Sequence, residues 1–375
     1  MKILPYKTIG IIGGGQLGRM MALSAKAMGY YVAVLEPTPN GPCAQVSDME
    51  INAGYGDMSA IKKLAEISDV ITYEFENIDY EALKYLCENS YVPQGSDVLK
   101  TTKHRFLEKT AIKNMGIPVP DFQLIESAEQ LEAVVFYPSV LKTTTGGYDG
   151  RGQVVLKSLD DLAAAKAMAA EHECILEQWM PFSKEVSVVV ARSTTGEIST
   201  FPVSENVHVN GIIHLSIVPA RISKALEDKA IACAKKIAEA LNVIGVLGVE
   251  MFCVDDEIYI NELAPRPHNS GHYTIDACVT SQFEQHVRAV CSLPLGDPSQ
   301  HTPCVMVNIL SAHMDKEALH NLGKYLPFLK NGKMHLYGKA IAKAGSKMGH
   351  INILGDIETS LKMIEESQIW GESRD

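Results

Sequence analysis

A glycine-rich segment follows Lys142 at the end of a short apolar run. Three threonines and then Gly146, Gly147, Gly150 and Gly152 come next, four glycines within seven residues. Such a loop can bring several backbone N–H groups onto phosphate oxygens, while the lysine adds a point charge from a rigid strand. A flexible hairpin tip that binds nothing is the alternative. A tip does not require the aromatic, acidic and arginine side chains that stand between these glycines, so phosphate binding is favoured.

Two glutamates, Glu250 and Glu262, lie on the two arms of an apolar hairpin predicted over 246–262. A three-residue loop at 255–257 would pair residue 254 with residue 258 and place both carboxylates opposite each other on one face. Facing carboxylates repel, and Mg²⁺, which prefers carboxylate oxygen and also binds phosphate, would turn this repulsion into ligation. A two-residue loop would put them on opposite faces, and no glycine fixes the register. The spacing therefore leaves open a magnesium site or two solvated acids.

The hairpin is followed by a polar segment stiffened by two prolines, NELAPRPHNSGH at 261–272. Prolines that limit the backbone favour a preorganised site for an anion. Arg266, His268 and Asn269 together are candidates for that site. His272 alone is equally explained by a local hydrogen bond.

An earlier glycine turn, with Gly13, Gly15 and Gly18, follows the first predicted strand. This spacing is typical of dinucleotide-binding proteins, and Glu36 at the end of the second strand stands where such enzymes bind a ribose. A nicotinamide-dependent oxidoreductase is therefore one hypothesis, and a tight turn without a ligand is another. A Walker loop is excluded because an arginine and a methionine stand where it requires lysine and serine or threonine.

Further polar residues follow the third strand, where open α/β sheets bind ligands. Glu74, Glu76 and Asn77 are either ligand contacts or turn and capping residues. Near the other end of the chain, a group of lysines indicates a solvated basic loop or a phosphate contact, at Lys339, Lys343 and Lys347.

The elements that position these residues change in type along the chain. Up to about residue 96, β-branched runs at 8–12, 31–35 and 70–73 alternate with helices capped by Asp57 and Asp79, which predicts a parallel sheet covered by helices. A helix over 103–115 then leads into two prolines at a domain boundary. Strands dominate from 140 to 202, with turns at 195–196 and 210–211, before a helix over 224–241. A proline-rich linker at 293–298 precedes a small α+β segment.

Composition limits the class of protein. The chain has 375 residues, 46% of them apolar and 21% charged, which predicts a globular protein of two or three domains. Its net charge of −11 disfavours binding of nucleic acid. No apolar stretch is long enough for a membrane span, and Pro5 and Lys7 interrupt any signal-peptide core. Eight cysteines without a C-x-x-C pair indicate buried thiols, and we expect a soluble, cytoplasmic protein.

In this order the segments resemble the ATP-grasp enzymes, specifically the 5-(carboxyamino)imidazole ribonucleotide synthetases. The similarity covers nearly the whole chain through GGGQLGRM at 13–20, YEFEN at 73–77, GGYDGRGQ at 146–153 and KMGH at 347–350. It implies an α/β and α+β multidomain protein. Its parts would be an N-terminal Rossmann-like parallel sheet (1–103), a central ATP-grasp fold (104–297) and a small C-terminal α+β domain (298–375). The resemblance also implies a homodimer that uses ATP and magnesium to carboxylate aminoimidazole ribonucleotide with bicarbonate.

The resemblance assigns site residues position by position. The ATP phosphates would contact Arg105, Lys142, Gly147, Tyr148, Asp149, Gly150, Arg151, Gly152 and Gln153. The rest of the nucleotide would contact Glu177, Gln178, Trp179, Met180, Glu185, His208 and Asn261. Magnesium would be held by Glu250 and Glu262. Bicarbonate or carboxyphosphate would contact Arg266, His268, Asn269 and Ser270. Aminoimidazole ribonucleotide would contact Tyr148, Asp149, Arg151, Lys347, Gly15, Gln16, Leu17 and Glu74.

Two positions depart from the pattern of the family, and the implied mechanism follows from the rest. Ala264 stands where many ATP-grasp enzymes have a metal-binding asparagine, and Ser346 stands where an arginine commonly precedes the KMGH run. Phosphoryl transfer from ATP to bicarbonate would give carboxyphosphate, which the amine of the imidazole captures. Asp149, helped by Tyr148, would handle the proton. A nucleotide sensor that binds ATP without releasing ADP is a third hypothesis.

Overall fold

Three β-sheets follow one another along the chain, as a computed structural model describes for residues 1–133, 137–147, 152–311, 323–340, 345–367 and 369. The first sheet and its helices comprise β1 (Thr8–Ile12), α1 (Gln16–Ala27), β2 (Tyr31–Leu35), β3 (Met49–Ile51), α2 (Met58–Ile67), β4 (Val70–Tyr73) and α3 (Tyr80–Asn89). All four strands are parallel, in the order β3-β2-β1-β4. The predicted parallel sheet is therefore confirmed, with β1, β2 and β4 at their predicted bounds.

Local sequence explains where these elements begin and end. Asp57 caps α2 by accepting the backbone N–H groups of Ser59 (2.9 Å) and Ala60 (3.2 Å). Asp79 caps α3 in the same way, through the N–H group of Ala82. Gly29 follows α1 with a φ of 86°, a left-handed conformation that glycine adopts without steric cost. These capping residues and glycines limit the length of the short apolar strands between the helices.

The helix predicted over 103–115 is in fact preceded by a separate short helix. The two helices are α4 (Asp97–Thr102) and α5 (Arg105–Asn114). His104 lies between them with an extended backbone (φ −122°, ψ 106°), so α5 begins at Arg105. Its end is as predicted, because Gly116 follows with a φ of 69°.

The second sheet is small and antiparallel. Its elements are β5 (Phe122–Ile125), β6 (Ser139–Thr143), β7 (Gln153–Leu156), α6 (Leu162–Glu171) and β8 (Cys174–Gln178), with the strands in the order β5-β8-β6-β7. Apolar side chains of one sheet face pack on α6, among them Leu141, Leu156 and Leu176. Lys142 and Glu177 are near neighbours on the adjacent strands β6 and β8, which brings their side chains together.

The third sheet has nine strands and includes the C-terminal segment. Its elements are β9 (Lys184–Arg192), β10 (Ile198–Thr200), β11 (Ser204–Val209), β12 (Ile212–Val218), α7 (Lys224–Ala240), β13 (Gly245–Val254), β14 (Glu257–Ala264), α8 (Thr274–Ala277), α9 (Gln282–Val290), β15 (Cys304–Leu310), β16 (Gly332–Leu336), β17 (Lys347–Leu354) and α10 (Ile357–Ser367). The main path is β14-β13-β9-β11-β12-β15-β17-β16, and β10 pairs with β9. The predicted turns at 195–196 and 210–211 each connect two antiparallel strands. Strand β14 is an edge strand, which leaves one side of its backbone for other partners.

Candidate active site

A cleft of about 690 Å³ collects side chains from all three sheets. Its lining includes nearly every described residue that the sequence analysis selected: Gly15, Gln16, Leu17, Glu74, Arg105, Lys142, Gly147, Gly152, Gln153, Glu177, Gln178, Trp179, Met180, Glu185, His208, Glu250, Asn261, Glu262, Arg266, His268, Asn269 and Lys347. Four further predicted residues, Tyr148, Asp149, Gly150 and Arg151, lie outside the described residues. Residues as far apart in sequence as Gly15 and Lys347 thus border one space.

The two glutamates of the hairpin face each other, but not for the predicted reason. The loop has two residues, Asp255 and Asp256, since Val254 pairs with Glu257. That register alone would put Glu250 opposite Asn261. A β-bulge between Met251 and Glu250 adds one residue to β14 and brings Glu250 opposite Glu262. Of the two loops that the spacing left open, the structure has the two-residue loop, and the bulge still gives the shared face.

Both carboxylates are paired with cationic or hydrogen-bonding side chains. Arg105 Nη1 lies 2.9 Å from Glu262 Oε2, and its Nη2 donates to the carbonyl oxygen of Gly147 (2.9 Å). Burial alone would raise the pKa of the Glu262 carboxyl, but the Arg105 guanidinium, with smaller contributions from Lys142 and His268, lowers this pKa to about 2. Glu262 is therefore an anion at neutral pH, as a ligand of a hard cation must be.

His268 is oriented so that it donates to Glu250. The Ser270 N–H group and hydroxyl lie 3.4 Å and 2.8 Å from His268 Nδ1, which we assign as the acceptor. The proton is then on Nε2, which lies 2.9 Å from Glu250 Oε1. Ser187 completes the chain by donating to the Ser270 oxygen (2.6 Å). The imidazole is thus held in one tautomer beside the carboxylate.

A second charged group lies under the glycine-rich loop. Lys142 Nζ donates to Glu177 Oε2 (2.8 Å), and the buried Lys109 Nζ is 3.6 Å from the same oxygen. Burial alone would raise the pKa of Glu177, but Lys109 and then Lys142 lower it to about 2. The three side chains carry one net positive charge at the position where the sequence predicts phosphates.

The first glycine turn is largely occupied by carboxylates of the chain itself. The Gly14 N–H group donates to Glu36 Oε2 (2.7 Å), while those of Gly15 and Gly18 donate to Glu74. Burial raises the pKa of Glu74, although these N–H groups oppose the shift. Glu36 also accepts the Tyr55 hydroxyl (2.5 Å), so it is not directed at a ribose. This arrangement opposes the oxidoreductase hypothesis.

The other end of the cleft combines apolar and polar groups suited to a nucleoside. Trp179, which is 42% exposed, lines it near Met180, and the rings of Phe182 and Phe252 stack at 4.7 Å. Glu185 lies against His208 Nδ1. Burial alone would lower the pKa of His208, but Glu185 raises it above its ordinary value.

The side chains fit a divalent cation that a nucleotide helps to bind. Among the described residues, no three His, Cys, Asp or Glu side chains form a ready-made metal site. The paired glutamates supply hard oxygen ligands, and Asn269 lines the same cleft with a buried amide oxygen that has no protein partner. Such a set is short of ligands until phosphate oxygens and water complete it, which is usual for Mg²⁺.

Family models match three consecutive parts of the chain. They are the ribonucleotide synthetase preATP-grasp domain at residues 6–103, the ATP-grasp domain at 110–283 and the phosphoribosylaminoimidazole carboxylase C-terminal domain at 304–363. N5-carboxyaminoimidazole ribonucleotide synthase of Bacillus subtilis is 52% identical over 356 residues, which cover 94% of this chain and 92% of the relative. The chain belongs to the N5-carboxyaminoimidazole ribonucleotide synthase family.

Solved structures of the N5-carboxyaminoimidazole ribonucleotide synthases agree with this assignment. An ADP complex of one synthetase is 59% identical and superimposes with a TM-score of 0.95, covering 98% of both chains. The Aspergillus clavatus synthase in complex with ADP and 5-aminoimidazole ribonucleotide is 32% identical, with a TM-score of 0.90 over 97% of this chain and 98% of that one. The predicted family, the three-part fold and the ATP-grasp ligase class are confirmed. The chain is a synthase that carboxylates 5-aminoimidazole ribonucleotide at the expense of ATP in purine biosynthesis.

One predicted contact of the synthase is not at the cleft. Ser270 is fully buried, and its side chain contacts Ser187 and His268 instead of lining the cleft. It is the middle residue of the tight turn at 269–271, and its hydroxyl is directed inward while Asn269 lines the cleft. The predicted direct contact of Ser270 with bicarbonate is therefore wrong, and the Ser270 hydroxyl contacts His268 Nδ1 instead.

Sequence reasoning also missed residues of the synthase. Glu108 and Lys109 follow Arg105 by three and four positions, so all three lie on one face of α5. That spacing was the available signal. Phe182 and Phe252 were missed as well, because isolated aromatic residues in apolar strands look like core.

Proposed function

We propose that this synthase phosphorylates bicarbonate and transfers the carboxyl group within the single cleft described above. The observation that carries the proposal is the facing pair Glu250 and Glu262 beside the Lys142 and Arg105 cations. The carboxylates would hold Mg²⁺, which supplies positive charge for the phosphate oxygens when bound. Lys142 and Arg105 would add charge from the protein, so that positioning and electrostatics account for the catalysis.

The proposed orientation of ATP follows from the two ends of the cleft. Trp179 and Met180 would contact the adenine, Glu185 the ribose hydroxyls, and His208 the nucleotide between them and the metal. The loop containing Gly147 and Gly152 would cover the phosphates. Arg105 already contacts the Gly147 carbonyl oxygen, which supports a link between loop closure and the metal glutamates.

Bicarbonate would lie at the Pro-rich segment, next to the γ-phosphate. Its oxygen would attack the γ-phosphorus as the bond to ADP breaks, giving carboxyphosphate. Arg266, held by Glu76 at 2.8 Å, would bind the anion together with Asn269 and His268. Exclusion of water from this region would protect carboxyphosphate from hydrolysis.

Aminoimidazole ribonucleotide would enter from the N-terminal sheet. The first turn of a helix leaves N–H groups without an intrahelical acceptor, and those of Gln16 and Leu17 are suited to its phosphate, with Lys347 opposite. Glu74 would border the ribose. The amine would attack the carboxyl carbon, phosphate would leave, and the proton of the amine would pass to Asp149, helped by Tyr148, while Arg151 would contact the ribonucleotide.

Several broader properties belong to the same proposal. We expect a cytoplasmic homodimer with domain boundaries near 103/104 and 297/298, as the resemblance implies. Within the described part of the chain, each helix is too short or too polar to cross a bilayer.

The test is release of ADP with bicarbonate and aminoimidazole ribonucleotide each present or absent. Formation of the carbamate from ¹³C-bicarbonate would be followed by NMR in parallel. Glu262→Gln should abolish both signals at limiting Mg²⁺, whereas Glu257→Gln, on the same strand but exposed at the hairpin tip, should behave as wild type. ADP release that is unaffected by omitting either substrate, or by Glu262→Gln, contradicts the proposal.

A further inference from the structure

The β-bulge at Asn261 decides which face of β14 carries Glu262. Without the extra residue, the register set by the two-residue loop would place Glu262 opposite Val249. Val249 is fully buried in the apolar core together with Ile260 and Leu263. A carboxylate on that face would be buried among apolar side chains, and the cleft would retain only Glu250. The metal pair therefore depends on this bulge.

Two buried polar side chains of α5 contact the backbone on either side of the bulge. Lys109 Nζ donates to the carbonyl oxygens of Ile260 (3.1 Å) and Asn261 (2.6 Å). Glu108 Oε2 accepts the N–H group of Leu263 (3.3 Å). Both side chains are at most 2% exposed. They thus occupy the open side of the edge strand, where a bulge leaves backbone groups without ladder partners.

The same helix contacts Glu262 itself. Arg105, one turn before Lys109, pairs with the Glu262 carboxylate. Helix α5 therefore contacts the backbone of Asn261, the side chain of Glu262 and the backbone of Leu263. A buried lysine is costly unless its hydrogen bonds are satisfied. Two of the three Lys109 donors are satisfied by the carbonyl oxygens of Ile260 and Asn261, and Glu177 lies 3.6 Å away. Lys109 therefore keeps these hydrogen bonds only while the bulge retains its geometry.

We propose that Glu108 and Lys109 are positioning residues that hold the bulge at Asn261, so that Glu262 faces Glu250 in the cleft. This inference rests on the proposed metal role of Glu262. It assigns to α5 two functions, one through Arg105 at the cleft and one through the backbone of β14. Neither Glu108 nor Lys109 needs to touch a substrate for it to hold.

The first measurement is the Mg²⁺ concentration that gives half-maximal ADP release. Removal of residues that orient metal ligands typically weakens metal affinity by about 10- to 100-fold. Lys109→Met keeps the length of the side chain and removes its donors, so we expect at least about a tenfold higher Mg²⁺ requirement. Glu108→Leu should act in the same direction, and Glu108→Gln, which retains an acceptor oxygen, should recover most of the loss. Lys113→Met, on the exposed side of α5, is the matched control.

The second measurement does not depend on turnover. Hydrogen exchange of the backbone amides at 261–263 should be faster in Lys109→Met and Glu108→Leu than in wild type, in the absence of nucleotide and metal. A merely stabilising role would raise exchange throughout the large sheet and leave the Mg²⁺ requirement unchanged. If Lys109→Met does not fold, the pair Glu108→Leu and Glu108→Gln carries the test alone.

The outcomes separate this inference from the function it rests on. If Glu262→Gln raises the Mg²⁺ requirement but Lys109→Met and Glu108→Leu do not, the positioning role is refuted and the metal role stands. If Glu262→Gln itself leaves the requirement unchanged, the proposed metal site fails first. A raised requirement in all three, with local loss of protection at 261–263, supports the inference.

Discussion

Replacing Glu177 by glutamine removes the carboxylate that lies between Lys142 and Lys109. The Glu177 side chain is 3% exposed, and Lys109 and Lys142 are 1% and 15% exposed, so solvent cannot substitute for it. Two buried ammonium groups would then face each other without their shared anion. Loss of one partner of a buried ion pair typically costs about 3–5 kcal/mol.

The pKa of Glu177 gives an independent magnitude. The folded protein lowers this pKa from 4.5 to about 2, which corresponds to about 3 kcal/mol of stability at neutral pH. Because the pKa is lower in the folded state, the contribution is complete above pH 4.5 and declines as the pH falls toward 2. Both routes therefore predict that Glu177→Gln lowers the free energy of unfolding by about 3 kcal/mol near neutral pH. The difference from wild type should shrink below pH 4.5.

Urea unfolding followed by circular dichroism, at neutral pH and at steps down through pH 4.5, measures this difference. Glu205→Gln is the matched control, since Glu205 is also buried but pairs with Lys184 and Arg221 away from the cleft. Only Glu177→Gln should also weaken the nucleotide-induced change in Trp179 fluorescence. A loss below about 1 kcal/mol, or a difference that stays constant into acid, would refute the reasoning.

Two further predictions concern the glutamate pair. Gly248→Ala would place a Cβ 2.7 Å from His268 Cβ and 2.9 Å from His268 Cγ, so the imidazole ring must move away from Glu250. We expect ADP release to fall by about 100-fold. Gly54→Ala is the control, because its Cβ would meet no atom within 4 Å and ADP release should be unchanged. Removal of divalent cations with EDTA should abolish ADP release but shift the melting temperature by less than about 2 °C, since the described side chains form no metal site by themselves. A large fall in melting temperature would instead indicate a structural metal.

Local signals made the first sheet predictable from sequence. Thr8–Ile12 is apolar and followed directly by Gly13, and Val70–Tyr73 is an apolar run between two helices that Asp57 and Asp79 cap, so nearby residues indicate where these strands lie. The break before Arg105 was not predictable in this way. No proline or glycine marks it, and it depends on how α4 and α5 pack.

The glutamate pair shows why the spacing left its register open. In a regular ladder a three-residue loop puts the two carboxylates on one face and a two-residue loop puts them on opposite faces, whereas the structure combines the two-residue loop with one bulge and so restores the shared face. The bulge could not be predicted from the sequence because no glycine marks its position. It depends on Glu108 and Lys109, which lie about 150 residues earlier in the chain. Ser270 was misplaced for a similar reason, since a motif does not reveal which way each side chain of a turn points.

The nine-stranded sheet crosses the boundary predicted at 297/298. Strand β15 pairs with β12 along four consecutive positions, from Leu215 with Val307 to Val218 with Cys304. A truncated chain that ends at residue 297 would lack β15, so one side of β12 would have N–H and C=O groups without partners. These groups, flanked by apolar side chains, could pair with a strand of another molecule. Expression of the nucleotide-binding part alone should therefore yield self-associating material, because β15, β16 and β17 complete the large sheet.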